Sequence, residues 1–206
     1  DAAAEGSQSG MPAEHALLGL LAMREGGTGH GYELARSFGP EAPLGSVIRL
    51  EPGMVYHHLK KLERLGWVAV APDASPQRAA RRPFVLSPDG REELRRWLTE
   101  PVAHTREIRL EFLVKLYLAL ALEPALAVGL IDEQSEMLGH LIASLSEQRG
   151  LGAAPNHEEG APARFSEMVT DMRLAQTEAA LAWLDRVRQE AATFAAAADG
   201  NGPGRR

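Results

Sequence analysis

Five side chains suited to meeting a polyanion lie within residues 56–64: Tyr56, His57, Lys60, Lys61 and Arg64. Lysine and arginine neutralise phosphates and release condensed counterions. Tyrosine and histidine reach base edges or sugars by hydrogen bonding. Three further cations follow at Arg78, Arg81 and Arg82, so residues 54–88 hold six basic groups against two acidic ones, Glu63 and Asp73. Tyr32, upstream, is a candidate for a phosphate hydrogen bond. The chemistry these nine residues can perform is recognition of double-stranded nucleic acid. The plainer reading is a solvated polar face, with Tyr56 a half-buried scaffold ring.

Other chemistries find little support. The chain has no cysteine, which excludes disulfides, thiolate metal sites and cysteine nucleophiles. The seven histidines show no His-x-x-x-His or His-Glu-x-x-His spacing, so no metal is expected. Gly26, Gly27, Gly29 and Gly31 resemble a phosphate loop in composition only. No strand is expected before them and no Lys-Ser/Thr follows, so a hinge between helices is the better reading. No Ser/His/Asp set stands out, Glu158-Glu159 lack a partner, and neither an enzyme nor a cofactor is expected. Trp97, close to a hinge at Pro101, is the candidate to stack on an aromatic ligand. Plain core packing is its alternative.

The elements that would carry these groups can be read from spacing. Residues 12–25 form a first helix through Ala16, Leu17, Leu20, Leu21 and Met23, ended by Gly26-Gly27. A short second helix covers 29–38. The third is the best marked. Pro52 suits a first helical position, Val55, Leu59, Leu62 and Leu65 recur along one face, and Gly66 is a left-handed cap. Lys60, Lys61 and Arg64 take the other face. Strands at 67–70 and 84–86 flank a polar stretch and make a hairpin with a long tip. Ser87-Pro88-Asp89 starts a fourth helix carrying Leu94, Trp97 and Leu98. Three helices, a hairpin and a helix describe a winged helix-turn-helix over 11–100, with a two-stranded wing.

The rest is helical. A helix at 107–122 pairs Glu111 with Lys115, a second runs from 124 to about 149, and a loop covers 150–163. Phe165, Met168, Met172, Ala175, Ala179, Trp183 and Val187 then mark a heptad-like stripe, with Trp183 and Phe194 as dimer-core candidates. Residues 101–198 are therefore expected to be an α-helical dimerisation domain, clasping a second copy because its stripes exceed what one chain can bury. Residues 1–10 and 199–206 read as disordered tails. The fold class is mainly α.

The 206-residue chain is 45% hydrophobic and 24% charged, the balance of a globular protein. Its net charge of −6 is uneven: residues 11–100 carry +1 and residues 101–206 carry −5. A contact face answers to its local field and not to the total. The longest apolar runs, 16–23 and 116–122, are far short of a membrane span. No secretion leader is apparent, and a cytoplasmic chain without membrane partners is expected.

Several segments resemble the PadR family of bacterial transcriptional regulators. They are His15-Ala-Leu-Leu-Gly-Leu-Leu-Ala22, His30-Gly-Tyr-Glu-Leu34, Pro52-Gly-Met-Val-Tyr56, Leu59-Lys-Lys-Leu-Glu-Arg-Leu-Gly66 and Leu86-Ser-Pro-Asp-Gly90, in the family's order and spacing. The likeness covers about 12–97. Arg109-Leu-Glu-Phe-Leu-Val-Lys-Leu-Tyr117 and the helices after it are similar to the Vir-like C-terminal domain of one PadR branch. The resemblance implies a homodimeric DNA-binding repressor controlled by a small molecule such as a phenolic acid or a drug. His57-His58 and the long tip at 74–80 depart from the family pattern where base preference is set, so no operator carries over. The competing reading is a helical protein-interaction module with an incidental basic face, indifferent to DNA and to salt.

Overall fold

The computed structural model describes residues 12–71, 83–152 and 161–200. They divide into two compact units, one of residues up to 99 with 110–122, the other of 100–109 with the residues from 123 onward.

The first unit opens with α1 (Pro12–Ala22), buried on every side from Ala13 to Leu21. A turn at Glu25–Gly27 follows, with Gly26 and Gly27 both at φ +66°, a region glycine enters without strain. Then come β1 (Thr28–His30), α2 (Gly31–Arg36) and α3 (Pro52–Arg64). β2 (Val68–Val70), β3 (Pro83–Leu86) and α4 (Pro88–Thr99) complete the winged part. The sheet has three strands, in the order β1-β3-β2, all antiparallel. Val68 pairs with Leu86 and Val70 with Phe84, the expected hairpin. β1 is an addition: Thr28, Gly29 and His30 pair with Val85, Phe84 and Pro83. Three residues without apolar alternation give no strand signal, and their place comes from β3 offering a free edge.

Both ends of α3 form as their residues dictate. Pro52 stands at the start. At the other end Gly66, at φ +75°, donates its N–H to Glu63 O, and the Trp67 N–H reaches Leu62 O. That is a Schellman cap. Ser87 caps α4 by accepting the Gly90 N–H at 3.0 Å, while its own hydroxyl donates to Gly66 O at 2.7 Å. One serine thus joins the end of α3 to the start of α4.

The core gathers Leu17, Leu18, Leu21, Leu34, Leu59, Leu62 and Leu98 together with Val114 and Leu118. The last two belong to α6 (Leu113–Leu122), so that helix packs with the winged part and the expected boundary at residue 100 shifts. An apolar face shows that a helix is covered without saying by what. Gly19 of α1 allows the approach, because a Cβ there would collide with the Leu118 side chain. Leading into α6 are a short α5 (Thr105–Glu107) and a π-helical turn at Ile108–Phe112.

The second unit is dominated by α7 (Pro124–Gly152) and α8 (Ala161–Gly200). Ion pairs Arg149–Asp171 and Arg188–Asp132 descend one helix as they climb the other, so the pair is antiparallel. α8 buries Leu174, Thr177, Leu184 and Ala191, spaced 3, 7 and 7 residues. The stripe expected from the sequence is a different one: Phe165, Met168 and Met172 are 66%, 68% and 52% exposed, and Phe194 is exposed as well. Gln134 holds the segment before α5, accepting the Val102 N–H at 2.7 Å and donating to Val102 O at 3.1 Å. α8 runs through residues 199 and 200, which were expected to begin a tail. The tail at 1–10 and most of the 150–163 loop lie outside the described residues. Among those residues no helix is long and apolar enough to cross a membrane.

Candidate nucleic-acid interface

α3 divides as its pattern requires. Val55, Leu59 and Leu62 enter the core, although Leu65, counted with them on spacing, is 48% exposed. The opposite side presents Met54, Tyr56, His57, Lys60 and Arg64 to solvent. Lys60 and Arg64 have no ion-pair partner among the described residues, and no carboxylate holds their charges back from a phosphate.

Tyr56 is both placed and accessible. It is 39% exposed, and its ring lies against Gly31, the first residue of α2. A Cβ on residue 31 would stand 2.5 Å from the ring's Cε1, so only glycine leaves room for the ring. Tyr32 is 54% exposed and stacks on His30 at 5.9 Å between ring centroids. Its hydroxyl donates to Glu33 Oε1 at 3.2 Å. Glu33 also accepts the His30 backbone N–H and the Arg24 guanidinium. The bond from His30 is the first cause that holds the Glu33 carboxyl below its ordinary range, with Tyr32 and Arg24 acting the same way against desolvation. The structure thus brings Tyr32, Tyr56, His57, Lys60 and Arg64 to exposed positions on α2 and α3.

Lys61 departs from expectation. Its ammonium lies 2.6 Å from Glu14 Oε1, and Glu14 is 1% exposed on α1. His58 is buried beside it, with Nδ1 3.3 Å from the same oxygen and Nε2 without a partner among the described residues. Sequence reasoning missed Glu14. The available signal was a Glu-His pair inside an otherwise apolar helix, a position where a charge needs a partner.

Trp97 is also corrected, from ligand contact to core. It is 3% exposed and its ring stacks on His15 at 4.4 Å and 8°. Its Nε1–H donates to Glu111 Oε1 at 2.9 Å. The buried Lys115 ammonium sits 4.8 Å from the ring centroid and 3.3 Å from Glu111. A cation over an indole and an indole N–H on a carboxylate satisfy each other in the interior. His15 Nε2 lies 2.9 Å from Glu93. Burial pushes the His15 pKa below 6.5, against the raising pull of Glu93. Arg78, Arg81 and Arg82 lie outside the described residues.

The second unit holds a cleft of about 290 Å³ walled by His104, Arg106, Leu141, Arg173, Gln176 and Thr177. Among the described residues no carboxylate lines it. Among the described residues no group of acidic and histidine side chains converges to hold a metal ion.

Comparison with known proteins divides the chain between residues 96 and 108, which leaves α6 with the C-terminal match although it packs on the winged part. Residues 17–96 match the transcriptional regulator PadR-like family. Residues 108–191 match the virulence activator alpha C-terminal family. A probable transcriptional regulator of Mycobacterium tuberculosis is 28% identical over 189 residues, covering 87% of this chain and 97% of that one. Among solved structures, Bacillus subtilis PadR in complex with operator DNA is 22% identical with a TM-score of 0.39, covering 86% of this chain and 96% of that one. The Vibrio cholerae virulence activator AphA is 23% identical with a TM-score of 0.36, covering 88% and 99%.

Proposed function

Because the chain belongs to the PadR-like family of transcriptional regulators, we propose that it acts as a homodimeric repressor reading an inverted-repeat operator. The observation that carries this reading is the exposed side of α3, where Lys60 and Arg64 are unpaired among the described residues and Tyr56 is braced on Gly31. In a winged helix that side enters the major groove while the wing meets the neighbouring backbone. Lys60 and Arg64 neutralise phosphates. Tyr56 and His57, near the start of α3, reach base edges or sugars, and Tyr32 adds a phosphate hydrogen bond from α2. Arg78, Arg81 and Arg82 supply the wing's cations.

Dimerisation through the C-terminal helices is supported by α8. Its buried line, Leu174, Leu184 and Ala191, is distinct from the exposed Phe165, Met168 and Met172. Such a dimer meets two half-sites about one helical turn apart, or a multiple of it. A small aromatic effector would act in the cleft of the second unit, where His104, Arg106 and Arg173 favour an acidic group.

Electrophoretic mobility of duplex from the chain's own upstream region tests the reading. Retardation that weakens steeply from low to moderate salt is the expected result. A chain indifferent to duplex and to salt would instead be a protein-interaction module.

A further inference from the structure

Two groups of α3 share one buried oxygen of α1. Glu14 Oε1, on α1, meets Lys61 Nζ at 2.6 Å and His58 Nδ1 at 3.3 Å, both from α3. Glu14 is 1% exposed and His58 3%. The Lys61 side chain keeps 40% of its surface exposed, yet its charged end turns inward. A carboxylate this deep is costly to leave uncompensated. A phosphate competing for the Lys61 ammonium would therefore be opposed by the cost of stripping Glu14. Lys60 and Arg64, one residue before and three after, carry no such obligation.

We propose that Glu14 is a positioning residue of the DNA-binding face: it takes Lys61 out of phosphate contact and uses it, with His58, to fix the rotation of α3 on α1. The rotation matters because His58 and Lys61 sit on the flank that decides how far Lys60 and Arg64 turn outward. The phosphate-contacting cations of α3 are then Lys60 and Arg64 alone. The inference rests on the reading that α3 faces duplex DNA.

The test is a cycle of Lys61→Met, Glu14→Gln and the double variant, with Arg64→Ala as comparator, in the full chain. Affinity for upstream duplex is measured across a salt series, and melting temperature by circular dichroism. Arg64→Ala should flatten the dependence of log affinity on log salt by about 0.9 for each phosphate it no longer neutralises. Lys61→Met should weaken binding by about tenfold at fixed salt, since it leaves the buried carboxylate with His58 as its one remaining partner among the described residues, and leave the slope unchanged. Adding Glu14→Gln removes that charge, and the double variant should bind within about threefold of the parent, at the parent's slope. A flattened slope in Lys61→Met, or a double variant that binds no better than the single, would overturn the proposal. If Lys61→Met does not fold, the double variant alone decides it by its affinity and slope. Should the parent ignore every duplex, the reading beneath has failed. The melting temperatures then still report the contact of Glu14 with Lys61, through recovery in the double variant.

Discussion

The Tyr56 ring occupies the space that a Cβ on Gly31 would need. The start of α2 and the solvent face of α3 are thereby fitted to each other across a bare backbone. Gly31→Ala must push the ring aside, and overpacking of this kind costs about 1–3 kcal/mol. We expect a lowered melting temperature and, in mobility shifts, weaker duplex binding. Unchanged binding would show that the seat of the ring is irrelevant to DNA.

Lys60 and Arg64 are exposed and unpaired among the described residues, so their removal should spare the fold. The double change Lys60→Ala and Arg64→Ala is expected to leave stability within about 0.5 kcal/mol. Binding should fall for all sequences alike, and the salt slope should flatten by about 0.9 for each phosphate left without its cation. A sequence-selective defect with an unaltered slope would contradict the phosphate role.

Trp97 fills the interior against His15, Lys115 and Glu111. Trp97→Ala should cost about 3–5 kcal/mol, read by denaturant unfolding. A stable Trp97→Ala chain that loses only a ligand response would restore the residue to a binding role.

His15 gives a pH dependence of defined sign. Desolvation is the largest cause of its lowered pKa, Glu93 and Glu111 oppose it, and Lys115 adds to it. The folded chain keeps the ring neutral where the unfolded chain would protonate it. The stability this supplies is complete above about pH 6.5 and is lost as pH falls from there through the lowered folded value. Melting temperatures of the parent should drop between pH 7.5 and 5.5 more than those of His15→Phe, which keeps a ring on Trp97. Parallel curves would remove His15 as the cause.

Met168 and Met172 are exposed on α8, whereas Leu184 is fully buried. Met168→Glu with Met172→Glu should convert a dimer to a monomer in light scattering while helix content holds. Leu184→Glu should unfold the α7–α8 pair itself, since it buries a charge without a partner. A parent chain that is already monomeric would dismiss this role for the stripe.

The ends of α3 and α4 were legible because local chemistry decides them: Pro52, Gly66 and Ser87 act on their own neighbours. The face of α3 was legible for the same reason, since the helical period sets Leu59 and Leu62 on one face and Lys60 and Arg64 on the other. Three things were not. β1 owes its existence to an edge contributed by β3, far along the chain. The partner of Lys61 lies 47 positions upstream, beyond any helical spacing. On α8 two apolar lines coexist, and spacing alone favoured Phe165–Val187 over the line through Leu174, Leu184 and Ala191, which packs within the unit. Periodicity announces that a face will be covered and is silent on its cover.

The winged part borrows α6 from beyond residue 109. A protein fragment trimmed at Thr99, where the chain invites the scissors, would bare the Gly19 flank of α1 and strand Trp97 without Glu111 or Lys115. A fragment meant to stand alone must keep its reading frame open to Leu122.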